Sequence, residues 1–122
     1  MFREFLKAKI HKATITHSDL HYNGSLSIDE EILEKSGILP NERVHVYNIN
    51  NGQRFETYAI KGEKGSKAFG LNGAAARLGS VGDQIIIVAY CYLSEDEVEL
   101  HKARIVIMEN SNRIKEILET DD

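Results

Sequence analysis

Cysteine is nearly absent from this 122-residue chain: Cys91 stands alone, so no intramolecular disulfide can form and the core must hold the fold. The neighbours of Cys91 are apolar, and the thiol is expected to be an inert core group rather than a nucleophile. Long hydrophobic runs are also missing. The longest, 85–91, is far short of the ~20 residues a helix needs to cross a bilayer. The N-terminal stretch MFREFLKAKIHKATITH mixes apolar and basic residues without the apolar block of a secretion signal, so the expected location is the cytoplasm and no membrane partner is expected. There is no basic excess either, with 15 Lys and Arg against 19 Asp and Glu. The net charge of −4 and the scatter of the basic residues exclude a general nucleic-acid binder. The glycines at 62, 65, 70 and 73 match neither phosphate-binding spacing. His17 and His21 lie four apart in a strand-and-turn segment with no third ligand nearby, so no metal is expected.

What remains is an ordinary globular balance, 42% hydrophobic and 28% charged, in a length that suits one domain over 1–122. Apolar residues alternate at Leu6, Ala8 and Ile10 and resume out of phase at Ala13 and Ile15, which predicts a strand with a bulge near Lys12. SIDEEILEKSG predicts one short helix, with Ser27 and Glu30 as a capping box and Gly37 as its stop. Val44–Ile49 and Gln53–Ile60 flank Asn50-Asn51-Gly52 and predict a hairpin. Asn72 is placed to cap a helical turn through Ala74 to Leu78. Gln84–Tyr92 predicts a buried strand, SEDEVELHKA a charged connection, Ala103–Met108 a last strand, and NRIKEILETDD a weak amphipathic helix with a frayed acidic tail. The pattern indicates a small, mainly β barrel with a few short helices.

Within DLHYNGSL, Asn23-Gly24 is a strong hairpin-turn signal, and the serine after it adds nothing unusual. Seven polar side chains are not required by local structure: Lys9, His11, Tyr22, Arg54, Thr57, Tyr58 and Asn72. Each has an ordinary reading as a surface, strand or capping residue.

Four segments give these residues a common meaning: KIH at 9–11, HSDLHYNGS at 17–25, NGQRFETYAI at 51–60 and NGAAARLGSVGD at 72–83. In order and spacing, over roughly the first ninety residues, they resemble the pyruvoyl-dependent aspartate decarboxylase family. The resemblance implies a double-psi β-barrel, a homotetramer with active sites between protomers, and self-cleavage between Gly24 and Ser25 into 1–24 and 25–122. Ser25 would become a covalently bound pyruvoyl group, the only cofactor, to which L-aspartate's amine is joined as a Schiff base. β-Alanine for pantothenate and coenzyme A would be the product. The resemblance gives Thr57 an oxyanion-stabilising role in cleavage together with a part in substrate binding, and makes Tyr58 the proton donor. It assigns Lys9, His11, Arg54, Asn72 and the backbone of Gly73, Ala74 and Ala75 to substrate binding, with Tyr22 in support. No maturation factor is named by the sequence. Tyr47 stands where tryptophan is frequent in the family. On a regular strand Thr57 and Tyr58 point to opposite faces, so both reach one site only through a bulge, a strand end or a shared site. Two other readings compete: a catalytically silent barrel binding a small anion through Arg54 and the 72–75 turn, and a self-cleaving hydrolase that keeps Ser25 as an N-terminal nucleophile.

Overall fold

The computed structural model describes residues 1–120; the acidic tail at Asp121 and Asp122 lies outside them. The strands are β1 (Phe2–Thr14), β2 (His17–Asp19), β3 (Ser25–Asp29), β4 (Arg43–Asn48), β5 (Arg54–Gly62), β6 (Phe69–Asn72), β7 (Gln84–Ser94), β8 (Ala103–Glu109) and β9 (Arg113–Thr120). Helices are few and short: α1 (Glu30–Ser36), α2 (Glu95–Val98) and two 3-10 turns, Gly73–Leu78 and Asn110–Asn112. The strands form one mixed, barrel-like sheet in the order β2-β6-β3-β5-β4-β7-β1-β8-β9, left open between β2 and β9. Parallel pairing joins β1 to β8, β2 to β6 and β3 to β5; the other neighbours are antiparallel.

Alternation along the strands fills the interior with Ile10, Leu26, Ile28, Val44, Val46, Phe69, Leu71, Ile85, Ile87 and Val106, all fully buried. Each such side chain contributes about 1.5–3 kcal/mol by leaving water. The apolar run of β7 is explained by its central place between β1 and β4. The expected bulge in β1 is present: Ile10 pairs with Ile87 and Ala13 with Ile85, so His11 and Lys12 oppose Ile86, and Lys12 has φ 65°. The β4–β5 hairpin also forms, with Gly52 at φ 76° in its turn.

Four local expectations need correction. The cap of α1 is Asp29, because Ser27 is held inside β3 by pairing with Ile60 and Gly70. Asp29 is buried and accepts from the backbone N–H groups of Glu31, Gly65 and Lys67, tying the helix start to the 63–67 loop. The segment expected to be a C-terminal helix is β9, paired antiparallel with β8. Its Ile114, Ile117 and Leu118 have helical spacing, but the free edge of β8 offers ladder bonds that a lone amphipathic helix lacks. Asn112 fixes the turn into β9, accepting from Thr14 N–H and donating to the carbonyls of Thr14 and Lys67. Cys91 is half-buried rather than part of the core, and burial pushes its thiol pKa up, which keeps it inert at neutral pH. Finally, Asn23-Gly24 is not a hairpin tip. β6 lies between β2 and β3, and residues 20–24 cross from one to the other over its end.

Candidate active site

That crossing explains the site. Asn72, the last residue of β6, pairs with Asp19 of β2 on one side and with Ser25 of β3 on the other. The chain from 19 to 25 therefore arches over Asn72 and Gly73. Gly73 has φ 67°, and a Cβ there would lie 2.6 Å from Gly24 Cα, 2.8 Å from Gly24 N and 3.0 Å from Tyr22 O. Glycine is required here twice over, for its left-handed backbone and for the space that the arch occupies.

Ser25 is 1% exposed. Its Oγ donates to the Asn23 carbonyl at 3.2 Å and accepts from Asn72 Nδ2 at 3.1 Å. The same Nδ2 donates to Ser27 Oγ at 2.9 Å, so both amide protons are used. Asn72 does precede the 3-10 turn, but its side chain makes no capping bond; the two serines take it instead. Ser27 is thus a site neighbour that sequence reading assigned to a helix cap. Its only signal in the sequence was its place two residues after Ser25 on the same strand face.

An open cleft of about 360 Å³ is lined by Gly24, Thr57, Tyr58, Asn72, Ala74 and Ala75, with Phe55, Glu56 and Leu78. Six expected site residues therefore meet beside the Gly24–Ser25 bond. Tyr22 lines an adjoining cavity of about 500 Å³ that shares Asn72. The conflict between Thr57 and Tyr58 is resolved by a strand end. β5 has no bulge against β4, where Arg54 to Tyr58 pair in unbroken register. The β3–β5 ladder begins only at Leu26 and Ala59, so the Phe55–Tyr58 stretch of β5 is unpaired on that side, and the cleft beside Gly24 opens along this edge, where residues of both faces line it. Thr57 is half-buried and Tyr58 40% exposed.

Lys9, His11 and Arg54 do not join this cleft within one chain. Arg54 lies four residues along β5 from Tyr58, about 13 Å at strand rise. Lys9 pairs with Val88, Val88 with His45, and His45 with Glu56, which places Lys9 on the outward face that also carries Tyr47 and Arg54. His11 shares that face through the bulge opposite Ile86, the partner of Tyr47. The outward face thus gathers Lys9, His11 and Arg54 apart from the cleft. The Arg54 guanidinium lies 4.0 Å from the centre of the Tyr47 ring, and among the described residues no carboxylate is in ion-pair contact with it. Glu56, its neighbour on the face, is engaged by Arg43 and His45. The His11 pKa is lowered by burial and then by Lys9 and Lys12, so the imidazole is mostly neutral at pH 7; among the described residues its buried Nδ1 has no hydrogen-bond partner.

Among the described residues no group of three His, Cys, Asp or Glu could hold a metal ion, and no helix is long and apolar enough to cross a membrane. A family model for aspartate decarboxylase matches residues 1–115. The aspartate 1-decarboxylase of Desulfotalea psychrophila is 56% identical over 118 residues, covering 97% of this chain and 99% of that protein. The one from Caldicellulosiruptor bescii is 56% identical over 122 residues, covering 100% and 95%. That of Neisseria meningitidis is 49% identical over 118 residues, covering 97% and 93%. With its buried serine beside an arched Gly24 and matches that run nearly end to end, the chain belongs to the aspartate decarboxylase family.

Proposed function

We propose that this chain converts L-aspartate to β-alanine and CO₂, using a pyruvoyl group formed from Ser25 after self-cleavage at Gly24–Ser25. The observation that carries the proposal is the Ser25 hydroxyl, buried, held by Asn72 and Asn23, and adjacent to a glycine that lines a cleft. In the cleavage, Ser25 Oγ adds to the Gly24 carbonyl carbon. The C–N bond then breaks, and the hydroxyl proton ends on the freed amine, leaving an ester. Loss of the Ser25 α-proton with departure of the Gly24 carboxylate gives a dehydroalanine, from which one water releases ammonia and leaves a ketone. Thr57, on the wall of the same cleft, stabilises the oxyanion formed at Gly24.

No side chain is a ketone, and the pyruvoyl group supplies one that condenses with an amine and accepts the electrons left when a carboxylate departs. The chain's own residues do the rest. Tyr58 lines the cleft, and its phenol holds the proton that the substrate carbon takes up after CO₂ leaves. Asn72, Gly73, Ala74 and Ala75 form the turn that borders the substrate. The separation of Arg54, Lys9 and His11 from Ser25 favours a site shared between copies, as in the homotetramer that the family resemblance implies, with a neighbouring copy bringing the cationic face to the cleft to bind the substrate's carboxylates. β-Alanine produced this way in the cytoplasm feeds pantothenate and coenzyme A synthesis.

Incubation of the purified chain with L-aspartate is expected to give β-alanine and CO₂ in equal amounts, and Ser25→Ala none. Tyr58→Phe should still cleave but turn over about 100-fold or more slowly. Normal turnover by Tyr58→Phe would remove its assigned role, and activity in Ser25→Ala would overturn the mechanism.

A further inference from the structure

Arg54 is a cation that the proposed reaction uses to hold a carboxylate, yet among the described residues no acidic partner fixes it. What restrains it is an aromatic face: its guanidinium stacks on Tyr47. Tyr47 is itself held. Its hydroxyl and that of Tyr90 are 3.0 Å apart, joining β4 to β7, and the Tyr90 ring meets His45 edge-on with centroids 5.1 Å apart. Both tyrosines are half-buried. Tyr90 therefore braces Tyr47, and Tyr47 braces Arg54.

The direction of this brace matters. Arg54 stands on β5, and stacking on Tyr47 carries its charged end one strand toward β7 and β1, where His11 and Lys9 share the face. Glu56 would draw the guanidinium the other way along β5, but Arg43 and His45 occupy it. The Tyr90 pKa is pushed up to about 12, first by the hydrogen bond with Tyr47 and then by burial, so the Tyr90 phenol keeps its proton at neutral pH.

We propose that Tyr90 is a positioning residue for substrate binding: through its hydroxyl bond to Tyr47 it orients the Arg54 guanidinium toward Lys9 and His11, and so sets the site's affinity for a dicarboxylate. The proposal rests on the reading above that Arg54 receives a substrate carboxylate.

Tyr90→Phe keeps the ring against His45 and removes only the hydroxyl. Loss of one hydrogen bond predicts a rise of roughly 2- to 12-fold in KM for L-aspartate and in the calorimetric Kd for succinate, a dicarboxylate without the reacting amine. Both kcat and the extent of self-cleavage should stay at wild-type values, since neither passes through Arg54. Tyr47→Phe breaks the same bond, so the double variant should be no worse than either single one, and in an Arg54→Lys background Tyr90→Phe should add nothing. Unchanged KM and Kd, additive effects, or a fall in kcat alone would overturn the proposal. If the wild-type chain bound succinate but made no β-alanine, the decarboxylase reading would fail while succinate affinities still decided the role of Tyr90. A wild-type chain that bound no succinate would remove the clamp and this proposal with it.

Discussion

Replacing Gly73 by alanine tests the arch over β6 with a magnitude that can be worked out in two parts. The first is the backbone: at φ 67° an L side chain costs about 1–2 kcal/mol. The second is contact, because the new Cβ would lie 2.6 Å from Gly24 Cα and 2.8 Å from Gly24 N, and these are backbone atoms that cannot rotate aside. Overpacking of this kind costs about 1–3 kcal/mol, giving a total of about 2–5 kcal/mol. Gly52 supplies the control. Its φ is 76° but nothing lies within 4 Å of its added Cβ, so Gly52→Ala should lose only the backbone part. Both replacements should be made in a Ser25→Ala background, which keeps every chain uncleaved, and compared by denaturant midpoint. In the wild-type background, Gly73→Ala should also slow cleavage at Gly24–Ser25, because relief of the clash must move Gly24. Equal destabilisation by the two variants, or wild-type cleavage in Gly73→Ala, would refute the reasoning.

Asp29→Ala removes the helix cap and strands the N–H groups of Gly65 and Lys67, and should cost about 2–4 kcal/mol, read as a lowered denaturant midpoint. A loss below 1 kcal/mol would show that the loop closes without it. The lowered pKa of His11 means the unfolded chain binds its proton first as pH falls. Its contribution to stability is therefore present above the ordinary histidine value of 6.5 and is lost as pH falls from there through the lowered folded value. Wild type should lose stability relative to His11→Gln as pH falls over that window, with the other histidines cancelling in the comparison; parallel curves would contradict the assignment.

Much of the site was legible because its residues come in short runs whose local structure follows from sequence. The β4–β5 hairpin brought Thr57 and Tyr58 onto one strand, and alternation alone raised the question of how both reach one place. The answer was not local. It depends on where β3 leaves β5, a fact of parallel pairing between segments some thirty residues apart. Ser27 and Asn72 were misread for the same reason: each is a good capping residue in isolation, and only the β3–β6 ladder turns their side chains toward each other. β9 shows tertiary pairing overriding helical spacing. The Tyr47–Tyr90 contact links positions 43 residues apart, and because the strand register sets Tyr47 opposite Ile86, only the reach of the two side chains along the sheet brings it about.

The most direct test of the account is the intact mass of the purified chain. Cleavage at the arched glycine predicts two fragments, one ending at Gly24 and one starting at residue 25, the second lighter by one ammonia than a fragment that begins with serine. A chain that remains whole, or a second fragment with the full mass of an N-terminal serine, would contradict the formation of a ketone at position 25.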